Sequence, residues 1–174
     1  DQRRNRALMD DLRIDWSWIG SHFDDMWEAT LEHATLTVIA VVVGLVFSMA
    51  LSLVALRWRR TYQPITWVTG ILYTIPSLAL FTFLVPFFGL SMLTAEIALV
   101  SYPLLILIRN IVAGIDGVPD DITEASRGMG MSSRQTFLKV QLPLALPAII
   151  AGIRIAAVTT IGLVTGTVLI GQGG

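Results

Sequence analysis

Cysteine does not occur among the 174 residues, which removes disulfides, thiolate metal sites and cysteine nucleophiles from the available chemistry. Histidine is almost as scarce. His22 and His33 are the two present, and neither stands in an H-E-x-x-H or comparable ligand spacing, so no metal is expected. The single lysine, Lys139, follows Leu138 rather than a glycine, so the chain has no P-loop with which to grip ATP phosphates. Charge of either sign is sparse: 14% of residues carry one, against about a quarter in a soluble domain. The 13 acids and 12 bases leave a net charge of -1, which gives a nucleic-acid backbone nothing to bind. Glu96 is the only acid between Glu32 and Asp116, and the sequence places it at the outer end of its helix. That is too little for the intramembrane carboxylates of an ion-coupled carrier or the charged ring of a channel. An integral membrane enzyme would need clustered nucleophile, base or metal ligands, and the apolar stretches hold none.

What remains is apolar: 54% of the chain is hydrophobic and the mean hydropathy is +0.70. From Ala34 to Leu56 run 23 residues without a charge. As a helix they reach roughly 35 Å, more than the ~30 Å hydrocarbon core of a bilayer. The sequence predicts an all-α, polytopic membrane protein forming one domain over residues 1–174, with spans at 34–57, 64–88, 94–115 and 144–170. The second is expected to kink near Pro76, and Pro103 lies within the third. Bases mark alternate loops, which orients the chain because Lys and Arg near helix ends stay cytoplasmic. Arg57, Arg59 and Arg60 follow the first span, and Arg109, Arg127, Arg134 and Lys139 follow the start of the third, whereas the connection after the second has none. The amino terminus is thus expected outside and the 116–143 segment in the cytoplasm.

Ahead of the first span, Trp16, Trp18, Ile19, Phe23, Met26 and Trp27 fall on one helical face, with Asp24, Asp25 and Glu28 opposite. A helix over 16–29, lying at the outer interface or packed on the protein, accounts for this pattern. Residues 1 to 30 are otherwise polar and acidic, unlike a cleavable signal, so the first span is expected to direct its own insertion. The chain stops at Gly171-Gln172-Gly173-Gly174 directly after an apolar run, and at least one further helix is expected beyond it.

Residues 116 to 143, DGVPDDITEASRGMGMSSRQTFLKVQLP, are too polar to cross a membrane and too patterned for a slack linker. Asp121 with Glu124, and Ser132 with Gln135, have capping-box spacing, and together they predict short helices over Ile122 to Met129 and Ser133 to Gln141. Gly128 and Gly130 break the first and Pro143 ends the second. Met129 and Met131 then occupy an exposed elbow, where flexible, polarizable side chains suit insertion into a groove on another protein.

Glu124-Ala125-Ser126, three residues, Gly130, nine residues and Val140-Gln141-Leu142-Pro143 resemble the E-A-A-x3-G-x9-I-x-L-P loop of binding-protein-dependent ABC importer permeases. Ser126 stands for the second alanine and Val140 for isoleucine. Further motifs resemble the osmoprotectant branch of that family, the permeases for glycine betaine, choline, carnitine and proline betaine. They are His33-Ala34-Thr35-Leu36-Thr37, Thr74-Ile75-Pro76-Ser77-Leu78-Ala79-Leu80, Arg109-Asn110 and Ala151-Gly152-Ile153-Arg154, with the terminal Gly171-Gln172-Gly173-Gly174. The resemblance implies a type I ABC importer permease fold in a bacterial inner membrane, with no catalytic residue and no cofactor in this chain. It also implies a second permease subunit, ATPase subunits carrying ATP and Mg2+, and an extracytoplasmic substrate-binding protein. In the loop, Glu124, Ala125, Ser126, Arg127, Gly128, Met129, Gly130, Met131, Leu142 and Pro143 would dock into the ATPase. An ABC permease for an amino acid or methionine is the alternative within the family.

For the substrate path, Pro76 is expected to free a backbone carbonyl with Tyr73, Thr74 and Ser77 around the break. Tyr73 and Tyr102 offer cation–π faces to a quaternary ammonium, worth about 0.5–2 kcal/mol, with packing as the competing role. Thr159, Thr160, Thr165 and Thr167 with Gly162 and Gly166 give the fourth span a small, weakly polar face. This reads as a helix interface, with pore lining by Thr159 as the alternative. Arg154 is expected to anchor near the cytoplasmic edge, where an acid of the 116–124 stretch could pair with it, rather than to touch substrate.

Overall fold

The computed structural model describes residues 20–171, and among them it is entirely helical apart from short turns. In chain order the α-helices are α1 (Phe23–Arg57), α2 (Tyr62–Thr74), α3 (Ser77–Phe88), α4 (Met92–Ser101), α5 (Pro103–Asp116), α6 (Asp120–Gly128), α7 (Ser133–Thr136) and α8 (Leu142–Val164). A 3-10 turn at Arg59–Thr61 joins α1 to α2, and a 3-10 segment, Thr165–Ile170, extends α8. Three helical runs are long and apolar enough to cross a membrane, Phe23–Arg57, Met92–Asp116 and Ser133–Ile170, and a bent pair makes a fourth.

The expected separate helix over 16–29 does not form within the described residues. From Phe23 onward it is the beginning of α1, because nothing between there and Arg57 breaks a helix. Trp16, Trp18 and Ile19 lie outside the described residues, as do Gln172, Gly173 and Gly174. The second span is also different from expectation. Instead of a kinked rod over 64–88, α2 and α3 meet at 94° across Ile75 and Pro76. Pro76 has no N–H to continue α2 and disfavours a helical Ile75, which is extended at ψ 128. Each arm is then too short to cross alone, at about 1.5 Å per residue. The pair nevertheless joins the two ends of the bundle. At one end the Arg59 guanidinium grips Asp116 at the foot of α5 through two bonds of 2.5 and 2.6 Å. At the other, Phe81 and Leu84 are buried with Leu36, Ala95, Val164 and Ile170.

The axis of the bundle is α5, whose Leu107, Ile111 and Ile115 pack on Ala145, Ile149 and Ala156 of α8. Ile108 and Val112 of the same helix meet Ala55 of α1. Lipid tails are as apolar as leucine, so burying large side chains brings little gain, and helices associate by close backbone approach. The sequence of α1 follows that logic inside out: Ala40, Gly44, Ser48 and Ser52, spaced by four, are buried. Val38, Val42, Val46 and Phe47 on the other faces are exposed. The tightest contact joins α8 to α5, where a β-carbon on Gly152 would lie 2.5 Å from the β-carbon of Asn110. The small face expected at Gly162 and Gly166 contributes less to the chain's own packing. A β-carbon at Gly162 meets nothing within 4 Å, and one at Gly166 would reach Phe81 at 3.5 Å, an ordinary contact.

Arg154 pairs with no acid of the 116–124 stretch, within which Asp116 is held by Arg59. In the last span, the second helix of the 116–143 segment does not stop at Pro143. It passes through a π turn, Phe137–Gln141, straight into α8. The Leu142 N–H bonds back to the Phe137 carbonyl, one residue further than in an α-helix. That wider turn relieves the clash a proline ring makes with the carbonyl four residues before it. The result is one run of 38 residues, Ser133–Ile170.

Replacing Gly152 by valine is expected to overpack the α5–α8 contact at a cost of about 1–3 kcal/mol. The melting temperature of the protein in detergent should fall, whereas Gly162→Ala, with open space around it inside α8, should not lower it.

Candidate functional site

The polar segment between α5 and α8 folds as a helical hairpin whose turn satisfies its own backbone. α6 starts from Pro119, with Asp120 and Asp121 in the first turn, where carboxylates suit the positive end of the helix dipole. The expected capping box between Asp121 and Glu124 is not made. Pro119, fixed near φ -57, begins the helix earlier, and the Asp121 carboxylate instead accepts from the Ile122 N–H at 2.9 Å. At its other end α6 closes in a full Schellman turn: the Met131 N–H reaches the Ser126 carbonyl and the Gly130 N–H the Arg127 carbonyl, at 3.2 and 2.9 Å. Gly130 has φ +82, a left-handed conformation that costs a residue with a β-carbon. Ser132 then opens α7 with the complete capping box the sequence predicts, through Gln135 Oε1 at 2.8 Å and the Gln135 N–H at 3.4 Å.

Inside the hairpin, Ser126 is buried, and its hydroxyl lies 3.0 Å from that of Thr136 on the facing helix. Ser126 donates its one proton to the Thr123 carbonyl at 2.7 Å, so Thr136 is the donor between the two hydroxyls. Ser126, expected to dock with its neighbours, therefore belongs to the clasp that holds α6 against α7. Glu124, Ala125, Arg127, Gly128, Met129, Gly130 and Pro143 are exposed, while Met131 and Leu142 are half-buried. Met129 stands out furthest, at 72% exposure on the elbow itself.

The residues expected to line a substrate path divide into separate groups. Tyr73 and Thr74 border a groove of about 460 Å³ between α2 and α5, together with Trp67 and Arg109. Thr159 borders another groove, of about 620 Å³, along the outward face of α8 with Arg154 and Pro147. Pro76 is exposed at the bend and Ser77 half-buried at the start of α3. Tyr102 is buried rather than open to a ligand, with its ring edge-on to Tyr73 at 6.3 Å. Its hydroxyl donates to the Ile75 carbonyl at 2.6 Å. The Leu72 carbonyl, which Pro76 cannot engage, receives the Ile75 N–H at 3.3 Å. The Leu72 and Ile75 carbonyls at the bend are thus satisfied, and Tyr102 fixes the bend from behind. Trp67 and Arg109 were not among the expected path residues, because their meeting depends on α2 lying along α5. Glu96, expected near the outer end of its helix, lies in the second turn of α4 with both carboxylate oxygens buried. No group of three or more His, Asp or Glu positioned for a metal occurs among the described residues.

The family model of the binding-protein-dependent transport system inner membrane component matches residues 40–174. A choline transport system permease protein of Bacillus subtilis (strain 168) is 37% identical over 145 residues, covering 83% of this chain and 67% of the relative. A carnitine transport permease protein of Listeria monocytogenes is 36% identical over 145 residues, covering 83% and 66% respectively. The chain therefore spans about two thirds of the length of these relatives. A chain of the MetNI methionine ABC transporter in an inward-facing conformation superposes with a TM-score of 0.68 at 22% identity, covering 80% of this chain and 72% of that one. At that identity the likeness is one of fold.

Removing the Tyr102 hydroxyl strands the Ile75 carbonyl at a cost of about 1–3 kcal/mol. Tyr102→Phe should accordingly speed hydrogen exchange at residues 72–80. Unchanged exchange would mean that the carbonyl finds another partner.

Proposed function

We propose that this chain, which belongs to the family of binding-protein-dependent transport system inner membrane components, forms the membrane pathway of an ATP-driven importer for quaternary-ammonium osmoprotectants. The reading rests on one observation: an exposed, self-satisfied elbow at Met129 and Gly130 that continues through Ser132 and the π turn into a membrane-spanning helix. A hairpin closed by a Schellman turn, a capping box and a buried hydroxyl pair moves as a unit. Pushed by a neighbour, it transmits displacement to α8 instead of absorbing it.

In this reading the hairpin docks into a groove on an ATPase subunit, which binds ATP and Mg2+, and this chain itself is not a catalyst. Closure of the ATPase pair drives two permease subunits between inward-open and outward-open arrangements. A binding protein delivers the solute from outside, the chain lies in the bacterial inner membrane with its amino terminus outward, and the hairpin faces the cytoplasm. Arginines at Arg57, Arg59 and Arg60 and in the hairpin support that orientation. The solute class is supported by relatives named for choline and carnitine. An amino acid such as methionine is the competing solute within the same permease family. The groove beside Trp67, Tyr73 and Arg109 presents aromatic faces and a guanidinium, which together suit a carboxylate-bearing ammonium compound.

Reconstituted with its ATPase and binding protein, the permease should show ATPase turnover stimulated by choline, carnitine or glycine betaine and not by methionine. Gly130→Val places a β-branched residue at φ +82, at a cost of about 1–2 kcal/mol. Uptake should then fall while insertion persists and ATP is still hydrolysed. Undiminished uptake in that variant would overturn the lever.

A further inference from the structure

We propose that a cavity beneath the hairpin binds the phosphate of an anionic phospholipid and thereby ties the moving hairpin to the fixed end of α1. The cavity, of about 630 Å³, is lined by Arg57 and Arg59 from the end of α1 and the turn after it, Ile115 from α5, and Arg127 and Phe137 from the hairpin. Asp116 engages Arg59 alone. Arg57 and Arg127 have no ion pair or hydrogen bond among the described residues, and Glu124, one turn before Arg127, does not reach it. Guanidinium groups converging on one cavity repel each other unless an anion lies between them. Phosphate oxygens match the planar fork of donors that each guanidinium presents.

Two features favour a lipid headgroup over a dissolved phosphate as the source of that anion. The wall is half apolar, with Leu53 and Leu56 beside Ile115 and Phe137, so an acyl chain or glycerol backbone finds cover next to the charge. In the proposed orientation the site also lies at the cytoplasmic end of α1, where Trp58, between Arg57 and Arg59 in the chain, exposes an indole of the kind that favours headgroup depth. Basic pockets between helix ends on the cytoplasmic side are suited to anionic headgroups. The inference rests on the proposed cytoplasmic orientation of the hairpin. It relocates Arg127 from the ATPase-facing surface to the membrane-facing side of the hairpin.

The test uses the assembled transporter, permease with its ATPase, and reads retained lipid by native mass spectrometry after purification from phosphatidylcholine nanodiscs containing phosphatidylglycerol. Wild type should retain phosphatidylglycerol in preference to phosphatidylcholine. Arg57→Gln together with Arg127→Gln should weaken retention by roughly thirty-fold, from about 1 kcal/mol per basic residue near an anionic surface. Arg134→Gln, in the same hairpin but outside the cavity, should leave it unchanged. If the double variant does not assemble, Arg127→Gln alone should weaken retention about five-fold on the same basis. Equal retention in wild type and variants overturns the site. Displacement of the lipid by millimolar inorganic phosphate, with phosphate bound equally well in uncharged nanodiscs, overturns the lipid as its source. Orientation is checked separately, because a chain without cysteine allows Leu138→Cys to be labelled alone by an impermeant maleimide. Labelling from outside intact cells would sink the proposed orientation. Labelling only after lysis, with lipid retention unchanged in the arginine variants, would sink the lipid site by itself.

Discussion

Close approach of backbones around α5 is the constraint on which the rest of this bundle depends. In a bilayer the outside of the protein is already apolar, so the force that assembles soluble cores is largely missing and packing has to come from contact at short range. The chain meets this demand with small residues. Ala40, Gly44, Ser48 and Ser52 clear one side of α5, and Gly152 clears another, down to the β-carbon of Asn110. With α1 and α8 held that near, the Arg59–Asp116 pair closes one end of the assembly and the Phe81 cluster closes the other. The right-angled α2–α3 arm can then hang between them with its Leu72 and Ile75 carbonyls bonded.

The same economy shapes the link between the hairpin and the membrane. A proline at Pro143 would ordinarily end a helix, and a flexible joint there would dissipate any motion of the elbow. The π turn at Phe137–Gln141 admits the proline while keeping the helix unbroken from Ser133 to Ile170. Rigidity therefore persists across the boundary between water and lipid, where a loop would be the default.

Much of this arrangement was legible in the residues. Runs without charge marked the stretches that fold as the long apolar helices, because a buried charge in lipid is expensive, and the Ser132–Gln135 spacing located the start of α7 to the residue. Local signals failed where a neighbour intervened. Asp121 and Glu124 had the spacing of a capping box, yet Pro119 set the helix start earlier and left Asp121 in the first turn, with Glu124 in the turn after it. Tyr102 could be read as a cation–π face or as a packing residue, and the sequence did not show that its hydroxyl would be required by the Ile75 carbonyl that the bend exposes. A kink and a 94° turn carry the same sequence signature at Pro76, and only packing of α3 against α4 and the end of α8 separates them. The four-residue spacing of small residues in α1 was present to be read, but hydropathy alone treats alanine, glycine and serine as filler within an apolar run.

An elbow whose amides from Met129 to Ser132 are already bonded within the hairpin presents no free backbone donor there that must be stripped of water before a second protein can cover it. A socket that receives Met129 has only to match a shape and exclude solvent, so seating and release carry little desolvation barrier in either direction.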